Sequence, residues 1–518
     1  MHPTHLQLCV GFCRSMGRML GTPGKRYGQW WILLCSGFLC ATVVSVQAGG
    51  YLPASIVPPK PAREMRAAWI ATVANIDWPS TNNLSTAQQT AELLAIMDRA
   101  AQLKLNTLIF QVRPACDALY ASSIEPWSEY LTGRMGKAPE PFYDPLALAV
   151  EEAHRRGLEL HAWFNPYRAH HSSAKGLVAP THISKTHPQL VRQYGKLLWL
   201  DPGDKEVQDY SLSVVMDVLK RYDIDGVHFD DYFYPYKEQD GAGREIDFPD
   251  DASWRRFGLG GRLSREDWRR ENVNEFIRRV YQSIKSAKPW VKFGISPFGI
   301  WRPGNPQQIQ GFDAYAKLYA DSRKWLASGW LDYFAPQLYW GIDPPQQSFP
   351  VLLKWWVEQN TKDRLLVPGM DSTKTNGRWN PEEIVNQIRL TRQQPGTSGH
   401  VHWDMKALMR PNRLGEALDR EVYGQPALVP PAPWLDTDPP ETPRLTVNGS
   451  NASWAPGKPQ QVWLWVLQVR RDNEWTTRIL PGAAKSRALE RPPPEAIAVT
   501  AVDRCGNASA PAVVQRKE

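Results

Sequence analysis

Ile224-Asp-Gly-Val-His-Phe-Asp-Asp-Tyr-Phe-Tyr-Pro235 is the stretch on which the reading of this chain turns. It opens as an apolar β-run, Gly226 to Phe229, and passes into two consecutive carboxylates followed by three aromatics. An ionised carboxylate at the end of a buried strand costs several kcal/mol unless it is paired or solvated. Stability alone would not select it there, so a functional cleft is the better reading. Alternation along a strand sends Gly226, His228 and Asp230 to one face and Val227, Phe229 and Asp231 to the other. The apolar pair then packs against covering helices, which leaves His228 and Asp230 aimed inward.

Outward from this stretch the chain repeats one unit: a short apolar strand, a loop, then a helical segment. Strands are expected at Met65–Val73, Leu105–Val112, Leu158–Asn165, Ile224–Asp231, Lys292–Phe298, Leu331–Trp340, Leu365–Met370 and His400–Asp404. Between them lie helical stretches at Ala87–Leu103, Pro145–Arg156, Glu206–Tyr222, Asn272–Ala287, Tyr315–Leu326, Phe349–Gln359 and Pro381–Arg392. Ser85, Asp144-Pro145 and Asn380-Pro381 read as helix starts. Strands alternating with helices over roughly 350 residues predict an α/β fold, a (β/α)8 barrel of parallel strands. An open doubly wound sheet is the competing arrangement. It would show fewer strands and a nucleotide-binding turn after the first.

The flanks read differently. Arg14, Arg18, Lys25 and Arg26 precede an apolar run, Trp30 to Val46, that closes on Val46-Gln47-Ala48. This is the pattern of a secretory signal over residues 1–48, with translation starting at Met1 or at Met16 or Met19. The run is short for a membrane span, so no stable span is expected after cleavage. Residues 49–62 read as a linker, 63–424 as the catalytic domain, and the proline-dense 425–443 as a semi-rigid second linker. Residues 444–518 hold short alternating strands that fit a small all-β sandwich. Nothing there suggests chemistry, and a spacer or a dock for an envelope protein partner is expected.

Composition narrows the partners. The chain carries +8, of which four basic residues belong to the export segment, leaving about +4. That is weak for a nucleic-acid binder of this size, and no long Lys/Arg run occurs. Four of six cysteines, Cys9, Cys13, Cys35 and Cys40, also lie in the export segment; Cys116 and Cys505 are no disulfide framework. No zinc-type Cys/His spacing or phosphate-binding glycine loop stands out, so no cofactor and no metal are expected. Twenty-three tryptophans lean toward carbohydrate, because indole faces stack on the apolar faces of sugars.

In such barrels the site forms where strands end. The second strand ends Gln111-Val-Arg113, then Asp117 and Tyr120; the third ends in Asn165, then Tyr167 and Arg168. The fourth supplies His228 and Asp230, with Asp231 and Tyr232 following; the fifth Ser296, the sixth Gln337, Tyr339 and Trp340. The seventh supplies Asp371 and the eighth His400, His402 and Asp404. Glycoside hydrolysis suits carboxylates in an aromatic cleft, with separations of ~5–5.5 Å for retention and ~6.5–9.5 Å for inversion. Asp230 is assigned as nucleophile or base. Asp231 is expected to orient it or to hold its proton affinity up by like-charge repulsion. Because neighbouring strand residues point apart, the acid is expected from another loop: Asp77, Asp117, Glu125, Asp343, Asp371 or Asp404. His400 and His402 read as core or rim histidines, and Asp225 as a structural turn residue.

The chain resembles the family 10 glycosyl-hydrolase-like proteins, long called domain of unknown function 187. The resemblance runs through Arg63-Glu-Met-Arg-Ala-Ala-Trp69, Asn75-Ile-Asp-Trp-Pro79, Gln111-Val-Arg113 and Glu125-Pro-Trp-Ser128. It continues in His161-Ala-Trp-Phe-Asn-Pro-Tyr-Arg168, Asp225 to Pro235 and Pro336-Gln-Leu-Tyr-Trp340, covering roughly residues 63 to 410. It implies a glycosidase barrel acting in bacterial envelopes, with peptidoglycan glycan strands as the substrate class. Gly226-x-His228-x-Asp230 is similar to the Gly-x-Arg-x-Asp of distantly related retaining glycosidases, with His in place of Arg. The glutamate those relatives place after the fifth strand is replaced by Ser296-Pro-Phe298. The C-terminal run Val499 to Ser509 resembles the last hairpin of fibronectin type III modules. Two other classes compete. A metal-dependent polysaccharide deacetylase would need a His-x-x-x-His pair, and His182 and His187 are one residue too far apart. A non-catalytic glycan-binding scaffold is the third.

Overall fold

The computed structural model describes residues 50–409, 413–459 and 462–517; the expected export segment, residues 1–48, lies outside the described residues. Parallel strands β1 (Met65–Ile70), β2 (Thr107–Arg113), β3 (Glu159–Phe164), β4 (Gly226–Phe229) and β5 (Lys292–Ile295) begin a curled sheet. It continues with β6 (Tyr333–Phe334), β7 (Leu365–Leu366), β8 (Gly369–Asp371) and β9 (Gly399–Trp403), in the order β7-β6-β5-β4-β3-β2-β1-β9-β8. β7 and β8 occupy opposite ends of that order, yet only Val367 and Pro368 separate them in the chain. The two ends of the sheet therefore meet.

Pro368 accounts for the break. It has no N–H to offer the ladder, and the chain changes neighbours there: Val367 N donates to Phe334 O, whereas Pro368 O accepts from Val401 N. The sixth strand, expected over Leu331–Trp340, keeps a ladder only at Tyr333–Phe334 because Pro336 interrupts it. Gln337 then bridges to Phe298 and Gly369. Helices follow the strands. α1 (Thr86–Gln102) starts with a capping box between Ser85 and Gln88, and Asp144 caps α2 (Pro145–Arg155). The helix expected over Tyr315–Leu326 is two pieces, Ala314–Lys317 and Ser322–Ser328, each capped by its own aspartate, Asp313 and Asp321.

Every residue of β1 is buried, because both faces of the sheet are covered. Ala68 and Ile70 join the apolar layer under the helices, while Met65, Ala67 and Trp69 join a second cluster inside the curl with Ile109, Trp163 and Val401. The interior also holds polar groups. Lys292 Nζ donates to Glu159 Oε1 (2.9 Å), and His161 bonds Glu159 Oε2 (3.1 Å) and the Tyr333 hydroxyl (2.9 Å). Against its burial, Lys292 and His161 pull Glu159 down to about 2. Two glycines make room for these rings. A Cβ on Gly226 would lie 2.5 Å from the His161 ring, and one on Gly294 1.9 Å from the Tyr333 ring.

At the C-terminus two antiparallel sheets follow. β10 (Arg444–Asn448), β11 (Asn451–Ala455) and β14 (Ser486–Ala488) form one, in the order β10-β11-β14. In the other, β12 (Leu464–Arg471), β13 (Glu474–Pro481), β15 (Ala496–Val502) and β16 (Ala512–Arg516) run β13-β12-β15-β16. Neither expected linker is free. Tyr51–Pro53 pairs antiparallel with β16, and Ala62–Arg63 pairs parallel with Ala427–Leu428. Prolines remove donors but leave carbonyls, which arginines occupy: Arg63 bonds Val429 O and Arg66 bonds Gln425 O. Trp434 Nε1 adds a bond to Asp332 (2.8 Å). The β domain packs on the amino-terminal ends of the strands through Arg504, which pairs with Asp223 and Asp225. Among the described residues no helix is long and apolar enough to cross a membrane.

Replacing Gly294 with alanine is expected to lower stability by about 3 kcal/mol or more, since Tyr333 is held on both sides. Gly241→Ala, with nothing within 4 Å of the added methyl, is expected to change it by less than ~0.5 kcal/mol. Urea unfolding midpoints of the two variants check this.

Candidate active site

The carboxyl-terminal ends of the strands surround a cavity of ≈ 260 Å³. β4 ends at Phe229, one residue before the first carboxylate. The alternation expected to separate Asp230 from Asp231 therefore stops too early to act, and both side chains line the same cavity. This corrects the sequence expectation that neighbouring acids point apart. Of the other acid candidates none lines the cavity. Asp77 accepts from Ala71 N and Lys406 N, Asp404 from Ala407 N, and Asp117 from Ala115 N. Glu125 is buried in an ion pair with Arg113; Asp371 caps the turn after β8, and Asp343 is exposed.

A relay of amides orients Asp230. Backbone N–H groups of Thr72 and Val73 both donate to Gln111 Oε1 (2.8 Å each), so Gln111 must present its NH2 to Asn165 Oδ1 (2.6 Å). Arg168 also donates to that oxygen (2.8 Å). Asn165 is thereby left to donate to Asp230 Oδ2 (2.5 Å), where Trp163 Nε1 adds a second bond (3.2 Å). Asp231 accepts from the Tyr236 hydroxyl and from Gln337 Nε2 (3.3 Å). Burial and then the charge of Asp231 push Asp230 up to about 7, against Arg168 and Asn165. Burial raises Asp231 as well, against the bonds from Tyr236 and Gln337. Two carboxyls out of water beside each other cannot both ionise cheaply. Burial and mutual repulsion therefore favour one charge on the pair over two.

The walls are aromatic. Trp403 meets Trp69 at 6.1 Å and Trp163 at 6.3 Å between ring centroids, and Tyr339 lies 6.5 Å away. The floor rests on His228, which lies below the cavity and not in its wall. Trp69 Nε1 can only donate, so His228 Nε2 accepts (3.1 Å) and its Nδ1 donates to the Tyr333 hydroxyl (2.8 Å). Ser296 Oγ bonds Nε2 as well (2.9 Å). Burial, reinforced by His161, keeps His228 neutral.

Of the residues expected to touch sugar, Arg168, Tyr232, Gln337 and Tyr339 line the cavity, and Asn165 stands directly behind Asp230. Arg113 and Asp117 are buried away from it, Tyr120 packs edge-on against Tyr222, Tyr167 packs against Phe276, and Trp340 packs against Phe298. Strand alternation cannot distinguish an inward polar residue at the rim from one that turns back into the helix layer. His400 and His402 both bond the Tyr423 hydroxyl. His182 caps a short helix and bonds Ala115 O, and Asp225 accepts from Leu160 N. Sequence reasoning missed Trp69, Trp163, Trp403 and His171 in the wall. The first two stood inside the quoted motifs Arg63–Trp69 and His161–Arg168, where no role was assigned to them.

Residues 64–381 match the family model described as glycosyl hydrolase-like 10. Glycosyl hydrolase YngK of Bacillus subtilis (strain 168) is 44% identical over 399 residues, 74% of this chain and 76% of that protein. Glycosyl hydrolase DigH of Escherichia coli (strain K12) is 37% identical over 417 residues, 73% and 92% of the two chains. Among solved structures, the catalytic domain of β-amylase from Paenibacillus polymyxa superposes with a TM-score of 0.47 at 12% identity, covering 71% of this chain and 100% of that one.

Because Asp230 titrates higher in the fold than the ~3.9 of an unfolded chain, the fold binds the extra proton between these values. That stabilisation is full below about pH 4 and is lost as pH rises through about 7. Asp230→Asn is therefore expected to be more stable than the parent at pH 8, by on the order of 4 kcal/mol, and equal to it near pH 4. Denaturant melts across that range test the sign. Gln111→Leu, which breaks the amide relay while sparing both carboxyls, is expected to lower turnover ~100-fold with the fold intact by circular dichroism.

Proposed function

The chain belongs to the glycosyl hydrolase-like 10 family, and on that premise we propose that it hydrolyses glycosidic bonds in the glycan strands of bacterial peptidoglycan after export to the cell envelope. The observation that carries this reading is the placement of Asp230 and Asp231 in one aromatic cavity, with Asp230 pushed up to about 7. Glycosidic cleavage needs one carboxyl that still holds a proton for the leaving oxygen and a second that is ionised on the anomeric side. Two buried acids that share a proton supply both states at once. Asp230 is assigned the proton and Asp231 the charge. This replaces the sequence assignment of Asp230 as nucleophile and removes the need for an acid from another loop.

Other features support the finer points. Trp69, Trp163, Trp403 and Tyr339 offer ring faces to a sugar. The meeting ends of the curled sheet favour a (β/α)8 barrel with its site at the carboxyl-terminal mouth. A basic then apolar N-terminus favours export. Strand orders β10-β11-β14 and β13-β12-β15-β16 favour a fibronectin type III-like module. The two relatives bear the name glycosyl hydrolase.

Purified sacculi, with and without stem peptides, are expected to yield new reducing ends, with products identified by mass spectrometry. Asp230→Asn and Asp231→Asn should each lower kcat by ~1,000-fold or more on this substrate. On a glycoside with a dinitrophenolate leaving group, which needs no proton, Asp230→Asn should recover and Asp231→Asn should not. The parent's kcat/KM should fall above about pH 7 as Asp230 loses its proton. Undiminished sacculus hydrolysis by Asp230→Asn would end this reading.

A further inference from the structure

At the far end of the molecule from the carboxylates, β13 is an edge strand that pairs only with β12 among the described residues. The opposite edge of the same sheet is covered, because Tyr51–Pro53 adds to β16. β14 is likewise an edge of the second sheet. Between these two open edges and the end of α1 runs a groove of ≈ 540 Å³. Five consecutive residues of β13, Thr476 to Leu480, border it. One face of a strand would contribute only alternate residues. Ile479 and Leu480 in fact pack into different apolar clusters on opposite faces. The groove therefore follows the strand edge, where backbone N–H and C=O groups lack a ladder partner.

Its charge is one-sided. Lys104, Arg471, Arg478 and Arg487 border it against a single acid, Glu490. Glu490 is already engaged by Arg478 (3.0 Å), and Lys104 pairs with Asp419. Arg471 donates to the carbonyls of Pro492 and Glu490, and the Arg487 side chain has no ion-pair or hydrogen-bond partner among the described residues. Cations placed on an edge can also serve to repel other strands. Here the neighbouring depth and the apolar flank of Leu467, Val469 and Leu489 make a receiving surface and not only a barrier.

We infer that the β13–β14 groove is a docking site for an extended acidic peptide segment of another protein, which adds to β13 as a new antiparallel or parallel strand. Backbone pairing would supply affinity, and Arg471 and Arg487 would select carboxylates on alternate side chains. The site is independent of the hydrolytic reading, since it shares no residue with the carboxylate cavity.

The test uses the full chain and an array of decapeptides in which apolar residues alternate with acidic, neutral or basic ones. Peptides of the acidic set are expected to bind, by fluorescence anisotropy, with amide exchange across residues 474–481 slowed roughly tenfold or more on saturation. N-methylation of alternate peptide amides should abolish this. Arg487→Glu, at a half-buried position of β14, should weaken binding roughly tenfold while leaving sacculus hydrolysis unaltered. The inference falls if no acidic peptide binds below ~1 mM, if basic peptides bind as well, or if exchange over 474–481 does not change. Protection of the same residues by polygalacturonate, with none by peptide, would assign the groove to an acidic glycan instead and overturn it.

Discussion

The space inside the curl constrains everything above it. Strands returning on themselves leave an interior too narrow for a full side chain from every inward position. Gly226 and Gly294 give up theirs, and the His161 and Tyr333 rings fill the vacated space. Those rings bring polar atoms into a dry region, where each must find a partner. The result is a bonded column running from Lys292 and Glu159 through His161 and Tyr333 to His228. Its upper end holds Trp69 and Ser296, two pieces of the cavity surface. The floor of the site is thus set by how the interior is filled.

Above that floor the site depends on withholding water from two neighbouring acids. The bonds from Asn165, Trp163, Tyr236 and Gln337 fix both carboxyls in place without removing their mutual repulsion. Arg168 stands close enough to moderate the charge but bonds Asn165 and Pro114 O, leaving the acids unneutralised by direct pairing. A salt bridge to either acid would have lowered its pKa and removed the proton donor. Donors that are neutral amides, indole and phenol orient the pair and keep the proton.

The C-terminal sheets belong to the same compact unit as the curled sheet. Arg504 reaches Asp223 and Asp225, just before β4, and His154 at the end of α2 meets the Trp463 ring at 4.6 Å. Asp225 also caps the start of β3 through Leu160 N. One carboxylate therefore ties the β domain to two strands whose far ends carry Asn165 and Asp230. Both presumed linkers act as straps in this arrangement, one pairing with β16 and the other lying across the strand starts.

The alternating strand–helix pattern, the capping residues, the order of motifs and the acid pair after β4 were all legible in the amino-acid sequence. Each is a local or period-based property, readable from neighbours along the chain. The split at Pro368, the burial of His228 beneath the floor and the diversion of Arg113, Tyr120 and Tyr167 from the cavity were not. These depend on which segment lies opposite, and period alone says only inward or outward. The most consequential miss was a matter of one residue: β4 ends at Phe229, so Asp230 and Asp231 leave the pleat that would have parted them. Sequence determined that two carboxylates would stand at a strand end; only the tertiary structure decided that both would share one cavity, because desolvation and repulsion arise between groups brought together in space.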